Sequence, residues 1–564
     1  MPRAVLSSAA LLLLLLPLIL ISQNARSRAA SVQFVDATAR SGLSFHNRNS
    51  ATPSKYLIET MTGGVALLDY DGDGWLDVFF TNGAKLNNPQ KDGEALDKTA
   101  PEFWNRLYRN KRDGTFEDGT EKAGVRGTGY GMGAAVADFD NDGYSDLLVT
   151  NLGGALLYHN NGDGTFSDVT AKAGLENAEG WLTSAGFFDY DRDGHLDLFI
   201  CRYLKWTFSD NIYCGSREPG GRSYCHPDNF QPISNLLYRN NGDGTFTDVS
   251  TSSKIAESEG KGLGVAFADF DNDGWMDISV ANDSFPQFLF RNNTDGTFTE
   301  TAMVAGAAYD EDGKTFAGMG TDASDVNGDG LFDIVTTTLS NECYAYFRNN
   351  GDGSFAYATH NSGLGGITRL FAGWGVRVFD FDLDGRKDLF FANSHVMDNV
   401  HMTQPHIEYE QPPLLLRVTA DKFVNVSAGS GSIFSRPLAA RGAAAGDLDN
   451  DGDPDLVIAS CNRPAVYLQN EGGSGNAWIG LRLRGTKSNR DGIGSKVTVT
   501  GSNGRMQHFM VTTAAGYQSA QDQRLYAGLG KDTGVEQVRI TWPSGTTQVL
   551  AKPSLGKLIT VEER

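Results

Sequence analysis

The stretch DFDNDGYSD, residues 138–146, places carboxylates at its first, third, fifth and ninth positions and a glycine at its sixth. Calcium takes about six to eight hard oxygen ligands. Side chains at positions 1, 3, 5 and 9 can turn inward to supply them, and position 7 can offer its backbone carbonyl. The glycine suits a sharp bend. An EF-hand is excluded: it needs a glutamate at position 12 and a helix beyond it. Position 12 here is Val149, which opens an apolar, strand-like run.

The pattern occurs seven times. Its carboxylate positions are Asp69, Asp71, Asp73 and Asp77; Asp138, Asp140, Asp142 and Asp146; Asp189, Asp191, Asp193 and Asp197; and Asp269, Asp271, Asp273 and Asp277. The last three copies carry Asp325, Asn327, Asp329 and Asp333; Asp380, Asp382, Asp384 and Asp388; and Asp447, Asp449, Asp451 and Asp455. Position 12 in the other copies is Phe80, Ile200, Val280, Thr336, Phe391 or Ile458, none of which ligates through a carboxylate. The expectation is up to seven bound Ca2+, with the loop containing Asn327 the weakest. The aspartates of the NGDGTF-type turns, Asp113, Asp163, Asp243, Asp295 and Asp352, read as hairpin residues instead.

Each copy sits in the same surroundings. A small-residue run such as GMGAAVA precedes it, and an apolar run such as LLVTN follows. Then come a segment like LYRN and a GTF strand. Short β runs between Gly/Asn/Asp turns give about four strands per unit. Four-stranded units arranged about an axis make a β-propeller, and seven loops predict seven blades. The last unit, through VYLQN, lacks a GTF strand. QFVDATARSGL at residues 33–43 aligns onto TFSDVTAKAGL at 165–175. The N-terminal strand is therefore expected to complete blade seven and close the ring. After residue 475 the loops cease and alternating runs indicate a small β-sandwich. The expected organisation is all-β: 1–29 a signal peptide, 30–475 the propeller, and 476–564 a separate β domain.

Net charge is −21, which disfavours nucleic-acid binding. Seven Ca2+ would reduce this to about −7, so calcium is expected mainly to stabilise the fold. Arg3 followed by the apolar run 9–21 suits a signal peptide cleaved after Ala29, with an uncleaved anchor the alternative. No other run is long enough to span a bilayer. The mature chain is expected to be secreted or periplasmic. Cys214 and Cys225 share a Gly/Pro-rich loop, and export permits a disulfide between them. Cys201, Cys343 and Cys461 read as free thiols.

DFDNDGYSDLLVTN with LYHNNGDGTFSDVTAKAGL resembles the FG-GAP/VCBS repeat of integrin-α-type propellers. In the tail, SNRDGIGSKV (488–497), GYQSAQDQRLYAGLG (516–530) and VRITWPSG (538–545) resemble the ASPIC/UnbV domain. Together they resemble the cartilage-acidic-protein family. That resemblance implies a calcium-binding extracellular propeller used in adhesion or interaction, and no settled reaction.

Two functional classes follow. The first is an exported binding or adhesion module for an extracellular protein or glycan. The second is an enzyme, carbohydrate-active or other, at the propeller face near the 201–234 and 395–413 loops. His395, His401, His406, Glu408 and Glu410 lie in or beside the latter, but their spacing fits no zinc motif. Trp181, Trp206 and Trp374 suit core packing better than a sugar site.

Overall fold

A computed structural model describes residues 32–419, 422–472 and 475–564. The segment read as a signal peptide lies outside the described residues. The described chain is all-β, with only short helices. No helix among the described residues is long and apolar enough to cross a membrane.

Each acidic loop joins the first two strands of an antiparallel meander. In one sheet these are Tyr130–Ala137 and Asp146–Leu152, followed by Gly154–Asn160 and Phe166–Asp168. The ninth loop residue is the first residue of the second strand in every copy. The same order recurs from Leu182–Phe188, Gly262–Ala268, Thr321–Ser324 and Gly373–Phe379. Val65–Leu68 opens another such meander within a larger sheet. In the sheet of Ala440–Gly446, the outer strand is Phe34–Asp36, paired antiparallel with Val466–Asn470.

The first strands of these units pack side by side in chain order, and Val65–Leu68 also packs on Ala440–Gly446. Small residues permit this approach. A Cβ on Gly133 would lie 2.7 Å from the Thr183 carbonyl oxygen. Apolar side chains fill the layers between sheets. Leu68 and Phe79, for example, share a core with Val136, Leu147 and Val149. Burying each large side chain contributes about 1.5–3 kcal/mol.

Two further sheets follow at the C-terminus. Ala477–Arg484 pairs with Leu525–Gly530 and, in parallel, with Leu558–Glu562. Lys496–Gly501 pairs with Met506–Met510 and Val535–Thr541, which in turn pairs with Thr547–Ala551. Ile479 and Leu481 of the first sheet and Val499, Val538 and Ile540 of the second lie in one apolar core.

A hairpin, Ala514–Ala515 with Ser519–Ala520, leaves these sheets and enters the axis on which the inner strands converge. Ala520 pairs with Ala66. Gly516 and Thr321 exchange backbone hydrogen bonds of 2.7 and 3.1 Å. The Ala134 N–H donates to the Gln518 carbonyl at 3.2 Å, and the Gln518 N–H donates to Ser184 Oγ at 2.9 Å. Gly516 is essential to the fit, because it has φ +72° and a Cβ there would lie 2.8 Å from the Val376 carbonyl oxygen.

Tyr517, at the hairpin tip, is fully buried. Its ring meets Trp374 edge-on at 4.8 Å, and its hydroxyl donates to the Met61 carbonyl at 2.8 Å. Trp181, Tyr203, Trp206 and Tyr224 belong to the same apolar cluster. The insertions 201–234 and 395–413 meet over this cluster. Asn399 Nδ2 donates to the carbonyls of Gly220 and Arg222, each at 3.0 Å. Cys214 and Cys225 are disulfide-bonded, and Cys201, Cys343 and Cys461 carry free thiols. The hairpin thus occupies the axis on which the inner strands converge, and the three tryptophans are packed in or beside the core.

Candidate metal loops

The seven loops organise themselves by one repeated scheme. In the loop of residues 138–146, Asp138 accepts N–H bonds from Asp142 and Gly143 at 2.9 and 2.7 Å. Asp142 accepts from Tyr144 at 2.9 Å. Asp146 accepts from Phe139 and Asn160 at 3.1 and 2.8 Å. The position-6 glycine takes positive φ throughout, 99° at Gly143. Position 4 also lies in the left-handed region, whether it is Asn141 at 61°, Arg192 at 58° or Leu383 at 55°. Glycine and asparagine are the residues that tolerate this best, which accounts for four of the other loops: Gly72, Asn272, Gly328 and Asn450.

These carboxylates crowd one another. Ligand atoms of Asp69, Asp71 and Asp77 lie within 4.8 Å of one another, as do those of Asp189, Asp191 and Asp197. Burial, followed by the Asp491 carboxylate, pushes Asp138 up to about 8. Burial, followed by Asp193 and Asp191, takes Asp189 up to about 7. Burial also holds Asp77, Asp197 and Asp277 well above the ordinary range. Buried oxygens without a hydrogen-bond partner remain on Asp71, Asp269, Asp388 and Asp449. In such crowded, partly desolvated clusters each like charge raises the cost of ionising the next.

Two contributions of the LYRN-type segment were not anticipated from the sequence. The first is a basic or polar residue aimed at loop positions 3 and 5. Arg109 Nε donates to Asp71 at 2.6 Å, and Arg239 Nε donates to Asp191 at 2.9 Å. Arg291 and Arg417 pair with Asp271 and Asp382. His159 takes this place beside Asp140, at 3.2 Å, and Gln469 takes it beside Asp449, at 2.5 Å.

The second is the terminal asparagine. Asn240 is buried, and its Nδ2 donates to Leu196 O at 3.0 Å and to Phe139 O in the preceding loop at 2.8 Å. Asn160, Asn292, Asn349 and Asn470 bridge in the same way to Tyr70, Tyr190, Phe270 and Phe381. Asn110 bridges from the first loop's sheet to Leu448 in the last loop, at 2.8 Å. Val418 stands at the corresponding place in the sixth unit and has no such amide. The recurrence of the final Asn in LYRN, LYHN, LFRN and YLQN was the available signal.

The C-terminal sheets face these loops. Arg482 lies 3.6 Å from Asp69, and Lys496 pairs with Asp269. The Arg490 N–H donates to Asn141 Oδ1 at 2.7 Å. Arg505 and Arg524 donate to the carbonyls of Asp384 and Asp447 at 2.9 and 2.7 Å. By contrast, Asp113, Asp163, Asp243, Asp295 and Asp352 accept from the Thr or Ser two residues on, which is the behaviour of turn residues. His395 is buried, and burial pushes it down to about 4. His401, His406 and Glu408 are exposed, and Glu410 pairs with Arg463 at 2.8 Å.

Residues 69–149, 138–200, 229–280 and 325–391 match the FG-GAP-like repeat family, and residues 485–564 match the ASPIC and UnbV family. The chain carries FG-GAP-like repeats and a C-terminal ASPIC/UnbV domain. It is similar to cartilage acidic protein 1 of Xenopus tropicalis, 26% identical over 314 residues, which are 53% of this chain and 45% of that protein. The corresponding human protein is 25% identical over 307 residues, 53% of this chain and 43% of that protein. The matches thus span less than half the length of these curated relatives.

Among solved structures, an Agrocybe aegerita lectin that recognises non-reducing terminal N-acetylglucosamine aligns with TM-score 0.37 and 18% identity. The alignment covers 64% of this chain and 79% of the lectin. YCF48 bound to a D1 peptide aligns with TM-score 0.39 and 6% identity, over 76% of this chain and 95% of that chain.

Proposed function

We propose that the chain is an exported calcium-binding protein that recognises an extracellular protein or glycan, with Ca2+ serving architecture. In this reading residues 1–29 direct export. Residues 30–475 form seven blades closed by the N-terminal strand, and residues 476–564 form the C-terminal domain. The pairing of Phe34–Asp36 with Val466–Asn470 and the Asn110 bridge to Leu448 support closure. The disulfide and the similarity to cartilage acidic protein 1 support the extracellular setting.

The observation that carries the reading is that the acidic loops are built into the seat of the ASPIC/UnbV domain, whose hairpin occupies the axis. Calcium at positions 1, 3, 5 and 9 would neutralise the crowded carboxylates and stiffen that seat. The position-9 aspartate has a second duty, since it also anchors two backbone N–H groups in most loops. Recognition is left to the outer surfaces, foremost the end carrying the 201–234 and 395–413 insertions. An enzyme working at the axis is disfavoured because the Tyr517 hairpin fills it.

The test is metal analysis after dialysis of the mature chain, combined with thermal melts in calcium and in chelator. Close to seven calcium ions per chain and a melting temperature lowered by chelator are expected. Absence of bound calcium with an unchanged melting temperature would overturn the proposal. Pull-down and glycan-array screens with the insertions exchanged for short turns address the recognition surface.

A further inference from the structure

A half-enclosed cavity of about 110 Å3 lies where the fifth, sixth and seventh units meet the ASPIC/UnbV domain. Its lining sets three carboxylates, Asp322, Asp380 and Asp522, beside the cations Arg377, Lys387 and Arg524. Arg377 is buried, with 4% of its surface exposed. Its Nη1 lies 3.1 Å from Asp322, while its Nε has no hydrogen-bond partner. Thr512 Oγ1, from the other domain, is also a buried atom without a partner. Lys387 lines the same space, with its ammonium 3.7 Å from the centre of the Phe509 ring.

The acids nearby are already engaged. Asp522 accepts from Arg524 Nε at 2.8 Å. Asp322 accepts the N–H groups of Val378 and Ala323 at 2.8 and 2.9 Å. Asp380 accepts those of Asp384 and Gly385 at 3.0 and 2.8 Å. The groups left to a ligand are therefore a guanidinium edge, an ammonium and the Thr512 hydroxyl. All three can donate, and only the hydroxyl can also accept. Leaving such groups bare in a poorly solvated site is costly.

We propose that this cavity binds a small carboxylate anion. A planar carboxylate matches the guanidinium edge, and its second oxygen can take the ammonium or a hydroxyl proton. A divalent cation is the wrong chemistry here, because the free side chains present protons. The volume limits the ligand to a few heavy atoms. Its contacts would come from both domains, so binding would strengthen the seam at which the inter-unit asparagine is replaced by Val418.

The experiment uses the full mature chain at fixed ionic strength and fixed calcium. Sodium acetate, malonate, sulfate and chloride are titrated separately, with thermal melting and calorimetry as readouts. Saturable stabilisation by acetate or malonate is expected. A parallel response to chloride or sulfate alone would replace carboxylate recognition by a general anion site and overturn the proposal.

Arg377→Met paired with Asp322→Asn removes the guanidinium without stranding a buried charge, and it should weaken carboxylate binding about tenfold or more. Lys387→Met provides a second, less intrusive variant. A response that does not saturate, or one that survives both variants, would show that the cavity holds only water.

Discussion

Replacing Asn240 by alanine should loosen the contact between two adjacent repeats. The buried amide makes three side-chain hydrogen bonds: to Phe139 O at 2.8 Å, to Leu196 O at 3.0 Å, and from the Gly242 N–H to its own oxygen at 3.0 Å. Each contributes about 0.5–1.5 kcal/mol net, and a buried carbonyl left bare costs about 1–3 kcal/mol. Allowing for partial solvent access and relaxation, Asn240→Ala should destabilise the chain by about 2–4 kcal/mol. Asn240→Asp conserves shape but sets a carboxylate against two carbonyl oxygens, so it should cost at least as much. Urea titration in calcium, followed by tryptophan fluorescence and circular dichroism, measures the midpoint and slope. Coincident transitions by the two probes are needed before a single free energy is quoted. A change for Asn240→Ala below about 0.5 kcal/mol, or native stability for Asn240→Asp, would refute the bridging role. Hydrogen exchange supplies an internal comparison, because the seam next to Val418 should exchange faster than the seams with an asparagine.

Other expectations separate the parts of the molecule. Asp269→Asn should lose one calcium equivalent by metal analysis, whereas Asp352→Asn, in an exposed turn, should lose none; equal losses would erase the distinction between loops and turns. Tyr517→Phe should cost about 1 kcal/mol and Tyr517→Ala about 3–5 kcal/mol by urea titration, and near-native stability of the alanine variant would mean that the hairpin does not hold the axis. Glu563 accepts N–H bonds from Thr486, Lys487 and Ser488 at 3.0, 2.9 and 2.8 Å. Burial alone would raise its carboxyl, but these bonds and the Ser544 hydroxyl bring it down to about 2. Its contribution, about 1–2 kcal/mol after allowance for solvent screening, should be complete above about pH 5 and disappear as pH falls towards 2, because protonation is then harder in the folded chain than in the unfolded one. Stability curves for wild type and Glu563→Gln that stay parallel from pH 7 to pH 3 would contradict this assignment.

The local scheme was legible because it is written in short-range chemistry. Glycine at position 6 and aspartate at 1, 3, 5 and 9 define a loop within nine residues, and a valine at position 12 rules out the helix of an EF-hand. The turn aspartates were separable from the loop aspartates for the same reason, since each answers to a Thr or Ser two residues away. Alternation and turn residues marked the strands, and repetition marked the sheets. Position 4 was less legible: Arg192 and Leu383 hide a left-handed conformation that Asn141 and Gly72 advertise.

What the sequence by itself determined was the repeating unit and the chemistry of its loops, because both depend on residues adjacent in the chain. Only the tertiary structure decided what those loops support. The asparagine bridges reach across dozens of residues to a neighbouring loop's carbonyl, a backbone group that carries no mark in the sequence. The Arg482 and Lys496 contacts join segments more than 200 residues apart. The GYQSAQ hairpin reads locally as an ordinary turn, and it becomes an axial pin because the inner strands converge on it. Backbone partners at long range have no side-chain signature, so packing alone could assign them.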